Sequence, residues 1–274
     1  MSDRLESHRE ALQTLANSTG VQFGLPELDR AIRGCRASDL SLIAGPPHGG
    51  KTQLAMHLVL HNPEKRVLWF TPDESHGFLM LKLTAIRMGL AQEDVEMMSK
   101  NELGMRELTK ITDEMGGLKV SGSGDSVDLR KSIDEATRDW GGLPNVIVFD
   151  YAEMLEHPMG EAGLGSKMMY FKKVGKETGA AMVIIHQANK MGIRSTDTPS
   201  LADMDTAGHK EATLVLWCRR TPTPRQTDVL REKQYPTSEV WVSKNKWQPM
   251  RPLDPIVLSI GPGGRLACRH ERKT

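Results

Sequence analysis

Eight consecutive residues, Gly45, Pro46, Pro47, His48, Gly49, Gly50, Lys51 and Thr52, form the pattern G-x-x-x-x-G-K-T, whose chemistry is the grip of a nucleoside triphosphate. Backbone N–H groups converge on phosphate only where the chain passes through conformations and close approaches that a Cβ obstructs, which accounts for the glycines. Lys51 supplies positive charge for the β and γ phosphates, and the Thr52 hydroxyl supplies a ligand for Mg²⁺. A nucleoside triphosphate and Mg²⁺ are therefore the expected ligands. The pattern follows the apolar run 40–44 and precedes residues 53–60, where Leu54, Ala55, Leu58 and Val59 recur at helical spacing. Strand, loop and helix come in the order that aims a helix N-terminus at an anion.

Hydrolysis needs more than a grip. Val146, Ile147, Val148 and Phe149 end in Asp150, the Walker B arrangement in which a buried strand delivers one carboxylate to the Mg²⁺ shell. A second run, 66–70, leads through Thr71 and Pro72 to the acids Asp73 and Glu74, either of which can polarise an attacking water. Neighbours on an extended backbone point opposite ways, so the spacing leaves the choice between them open. At the end of the run 181–185, Gln187 is the candidate sensor of the γ-phosphate, and the glycine-containing loop 190–199 carries Lys190 and Arg194 as candidate contacts to nucleic-acid phosphates. Near the C-terminus, Lys244 and Lys246 stand two residues apart at a strand end. Cations in that position can act on a phosphoryl group held by another subunit.

These groups need a scaffold that brings strand ends together. Apolar runs at 40–44, 66–70, 118–121, 145–150, 181–185 and 213–218 alternate with amphipathic stretches at 78–90, 92–115, 126–139 and 164–178. That alternation predicts an α/β fold with a mainly parallel sheet covered by helices on both faces. Runs at 239–245 and 255–259 predict an antiparallel C-terminal edge. A short helix at 27–32, closed by Gly34, leads into the first strand, and prolines at 222, 224 and 236 mark a loop over 221–237. The expected organisation is a helical extension over 1–18, with Leu5, Ala11, Leu12, Leu15 and Ala16 along one side, and one motor domain over 19–274.

Composition excludes several classes. Lys plus Arg is 36 against 35 Asp plus Glu, a net charge of +1, so bulk charge predicts no polyanion binding, although residues 219–274 hold 12 basic against 5 acidic residues. No run approaches a membrane span, and three scattered cysteines with no C-x-x-C pair suit a reducing cytoplasm.

Taken in order, the segments from about 19 to 260 resemble the RecA-like motor domain of DnaB-type replicative helicases. Residues 19–29 are similar to the family's T-G-x-x-x-L-D entry, Asp150 to Leu155 to its D-Y-L-Q-L-M, and 186–190 to its S-Q-L-N-R. Ser200 to Asp203 with 212–216 is similar to its S-L-x-D to A-D-x-V-L passage, and Lys244, Asn245, Lys246 falls where the family has K-Q-R. The resemblance implies a RecA-like P-loop NTPase that forms a hexameric ring, binds ATP and Mg²⁺ at each interface and translocates on single-stranded DNA, with a replication loader as a partner. It also implies that Lys244 and Lys246 reach the neighbour's nucleotide, with Lys246 in place of an arginine finger. The short segment before the motor leaves primase partnership unimplied and suits a bacteriophage-encoded helicase. The acid pair at 73–74 is also similar to RadA and KaiC-type ATPases, which makes a recombination ATPase one alternative reading, and the lysine in place of the arginine finger makes an ATP-gated DNA-binding or loading protein another.

Overall fold

In a computed structural model, the structure describes residues 20–156, 163–188, 208–220, 237–248 and 254–268. Lys190, Arg194, the expected extension over 1–18 and most of the 221–237 loop lie outside the described residues.

The apolar runs become strands, and their order is what brings the candidate residues together. β1 (Leu40–Gly45), β2 (Val67–Phe70), β3 (Leu118–Ser121), β4 (Val146–Phe149), β5 (Ala181–Gln187), β6 (Leu214–Arg220), β7 (Thr237–Asn245), β8 (Ile256–Ile260) and β9 (Leu266–Cys268) form one sheet in the order β3-β2-β4-β5-β1-β6-β7-β8-β9. From β3 to β6 every pairing is parallel, and from β6 to β9 every pairing is antiparallel. β1 thus lies between β5 and β6, with β4 one strand further, so the ends of β1, β4 and β5 open onto one edge. Ligands of open α/β sheets bind at such carboxyl ends.

Side chains alternate between two apolar layers. Ile43, Val146, Val148, Val183 and Leu216 face one layer, which receives α1 (Pro26–Ile32), α2 (Lys51–His61) and α3 (His76–Met88). Leu42, Ile147, Phe149, Ile184 and Trp217 face the other, which receives α6 (Ser126–Trp140) and α7 (Leu164–Thr178). Burial on both faces explains why these strands read as continuous apolar runs.

Three local outcomes differ from the sequence expectation. The stretch 92–115 is two helices, α4 (Gln92–Met98) and α5 (Glu102–Glu114), because the Asn101 side chain accepts the Gly104 N–H at 2.8 Å and starts a new helix. The turn after α1 takes in Arg33 as well as Gly34, both at positive φ. Strand β9 is not among the expected elements; three residues carry too little periodicity to announce a strand.

Candidate nucleotide-hydrolysis site

The phosphate loop links β1 to α2 and is built against the start of the antiparallel edge. Gly45 has φ 150°, and a Cβ there would lie 2.1 Å from the Cys218 carbonyl oxygen on β6, so only glycine lets the loop leave the sheet. Gly50, at φ 92°, caps α2 and directs the first turn toward the cavity. His48 to Thr52 line a cavity of about 480 Å³; Gly45, Pro46 and Pro47 form the limb that climbs to it. The buried Lys51 donates from Nζ to the Pro46 carbonyl at 2.7 Å, which holds its charge inside the loop, and burial pulls its ammonium below the ordinary lysine range.

Thr52 and Asp150 meet although 98 residues separate them: Thr52 Oγ1 donates to Asp150 Oδ2 at 2.8 Å. Asp150 follows β4 directly and is buried. Burial raises its carboxyl to about 6, with Glu74 adding to the rise and the Thr52 hydrogen bond, Lys51 and Lys82 opposing it. A hydroxyl and a crowded carboxylate side by side beneath a phosphate loop are an oxygen pair suited to a hard cation such as Mg²⁺. The donor set fits the metal that the sequence implies.

The acid pair is separated by the chain. Glu74 lines the cavity and forms an ion pair with Lys82 of α3, whereas Asp73 is exposed and does not line it. On the far wall, Gln53 bridges two elements, accepting from Arg220 Nη2 at 2.9 Å and donating to the Gly264 carbonyl.

The model of the DnaB-like helicase C terminal domain matches residues 20–254. The chain belongs to this family. It is 26% identical over 228 residues to a replicative DNA helicase DnaB of Haemophilus influenzae, an alignment that covers 76% of this chain and 48% of the relative. The chain thus spans about half the length of the curated DnaB relatives it matches. Among solved structures, a DnaB-like replicative helicase superposes with a TM-score of 0.75 at 16% identity, covering 97% of this chain and 66% of that one. The RadB recombinase superposes with a TM-score of 0.57 at 14% identity, covering 91% of this chain and all of that one. The RecA-like fold expected from sequence is therefore the observed one.

Within this member of the DnaB-like family, the other described residues expected at the site, Gln187, Lys244 and Lys246, do not line the cavity. Gln187 ends β5 level with Gly45, is exposed, and has its backbone N–H held by the Glu153 carboxylate at 3.1 Å. Lys244 lies near the end of β7, opposite Val215 at the start of β6, and donates to the His209 and Lys210 carbonyls at 2.7 and 3.1 Å. Lys246 is exposed just past the strand, its N–H bonded to the Thr213 carbonyl. Both lysines stand level with the beginning of β1, at the opposite end of the sheet from their own phosphate loop. Sequence reasoning missed Lys82, Gln53, Arg220 and Glu153. Lys82 had a faint signal as a cation set in the apolar middle of a helix that follows the acid pair; the others are brought in only by the fold.

Proposed function

We propose that this chain is the motor of a DNA helicase that hydrolyses ATP and uses the energy to move on single-stranded DNA during replication. The observation that carries the reading is the Thr52–Asp150 bond beneath the phosphate loop, in a chain of the DnaB-like family with an acid, Glu74, on the same cavity. Lys51 and the loop N–H groups would hold the triphosphate, and Thr52 and Asp150 would hold Mg²⁺, which neutralises charge on the transferring phosphoryl group. Glu74 is the better placed of the two acids to accept a proton from the attacking water. Lys82 keeps that carboxylate paired within the cavity.

The helicase relatives and the position of Lys244 and Lys246 support a ring, read here as a hexamer, in which each protomer's lysines complete its neighbour's pocket. A single protomer cannot bring them to its own loop. Lys190 and Arg194 are proposed as DNA contacts in the channel, residues 19–274 as the motor domain behind the 1–18 extension, and a loader protein as the assembly partner in a cytoplasmic replisome.

Strand displacement on a forked duplex tests the reading. ATP-dependent unwinding by the wild-type chain, lost in Lys51→Ala, is expected. A preparation that forms rings and hydrolyses ATP yet separates no strands would refute it. Homologous pairing without unwinding would favour a recombination ATPase instead.

A further inference from the structure

At the end of the sheet opposite the phosphate loop lies a second cleft, of about 290 Å³. Its walls are segments about to enter parallel strands: Arg36 before β1, Lys65 and Arg66 before β2, and Leu143 and Pro144 before β4. Parallel strands start at one edge, so Arg36 meets the neighbouring pair Lys65 and Arg66 around one hollow.

These cations are unequally satisfied. Lys65 pairs with Glu64 at 3.3 Å, and both side chains are well exposed, so the pair is weak. Among the described residues neither Arg36 nor Arg66 has a carboxylate partner. The Arg36 guanidinium lies 4.3 Å from the centre of the Trp247 ring, and its Nε is buried without a hydrogen-bond partner. Trp247 is itself fixed, donating from Nε1 to Asp39 Oδ2 at 2.6 Å. The Arg36 guanidinium is thus held in place without a carboxylate to neutralise it, and a bound carboxylate would supply one. Beside the cations the wall is aliphatic: Val21 and Pro144 line it, and Leu143 is 45% exposed.

We propose that this cleft is a docking site for a peptide segment of a partner protein in which acidic residues adjoin a large apolar one. A guanidinium held against an aromatic ring still presents a planar fork of donors suited to the two oxygens of a carboxylate. The Val21–Leu143–Pro144 wall buries the neighbouring apolar side chain. A nucleic-acid strand suits the cleft less well. Its phosphates recur along a line and call for a stripe of cations with aromatic platforms, whereas these cations ring one concavity with Glu64 beside it. No residue of the cleft lines the nucleotide cavity, so the proposal stands apart from the helicase reading.

The test is fluorescence anisotropy of the full chain with an Asp-Asp-Leu-Phe amide peptide carrying a fluorophore on its N-terminus, beside an identically labelled Asn-Asn-Leu-Phe amide control and a labelled single-stranded oligonucleotide. The acidic peptide is expected to bind, to weaken as salt rises, and to bind about tenfold or more weakly in Arg66→Gln and in Arg36→Gln. ATP hydrolysis is expected to stay at the wild-type rate in both. Arg36→Gln also removes the Trp247 stack, so if that variant misfolds, Arg66→Gln decides. No binding by the wild type, equal binding of the Asn-Asn-Leu-Phe control, or unchanged affinity in the variants would overturn the proposal. So would oligonucleotide binding that falls in the same two variants, which would make the cleft a nucleic-acid site. Loss of ATPase or unwinding in the wild type would bear on the nucleotide site alone.

Discussion

Thr52 and Asp150 are joined by a hydrogen bond of 2.8 Å that ties the first turn of the phosphate-loop helix to the end of a strand 98 residues away. The bond holds both proposed metal ligands in place before nucleotide arrives. Thr52→Val keeps the shape and removes the hydroxyl, leaving the Asp150 carboxylate buried without its donor. The affinity for Mg²⁺–ATP is expected to fall about tenfold or more, measured by titrating Mg²⁺ against a fluorescent nucleotide. Unchanged affinity would remove Thr52 from the metal shell.

The two neighbouring acids separate in a mutant pair. Glu74→Gln is expected to lower the hydrolysis rate by about 10²-fold or more with nucleotide binding retained, the scale of a lost general base. Asp73→Asn, on an exposed residue outside the cavity, is expected to change it little. A reversed outcome in steady-state ATPase assays would move the base to Asp73.

Mixing gives the third prediction. Protomers carrying Lys246→Ala, added to wild type, are expected to lower ATPase activity further than dilution alone, since each would spoil a neighbour's pocket. A loss in simple proportion to the mutant fraction would confine Lys246 to its own subunit.

Glycines with different surroundings should answer differently to one added methyl. At Gly45 a Cβ meets the Cys218 carbonyl at 2.1 Å, so Gly45→Ala is expected to destabilise the fold by about 3 kcal/mol or more, or to prevent folding. At Gly77, in the first turn of α3, nothing lies within 4 Å, and Gly77→Ala is expected to add about 0.5–1 kcal/mol. Urea midpoints measure both.

Acid sensitivity should report His57. Its Nε2 accepts the Leu266 N–H at 2.7 Å, and burial, then the Arg265 and His61 charges, push its imidazole from 6.5 down to about 4. Between those values the unfolded chain binds the proton more tightly, so this contribution to stability is complete above about pH 6.5 and is lost as pH falls toward 4. His57→Leu is expected to flatten stability against pH across that window, followed by urea unfolding.

Most of the scaffold was legible because its strands are buried on both faces. Val146 to Phe149 could hardly be anything but a central strand, and an acid placed after such a run has its position given by the sheet edge. Leu118–Ser121 stands among those runs although it is only half-buried. What could not be read was contact across space. Lys82 reaches Glu74 only because α3 doubles back over the strand end, and Gln53 meets Gly264 only because the last hairpin lies against α2. The helix break at Asn101 depended on whether one side chain caps, which a periodic pattern does not report. Pairing of Glu153 with the backbone of Gln187 left no mark in the spacing.

Placing Lys244 and Lys246 at the sheet end remote from Gly45 also shapes the proposed ring. There the contact would join unlike faces, head to tail. Every open row of such protomers would carry an incomplete pocket at one end, and only circular closure would make all of them equivalent.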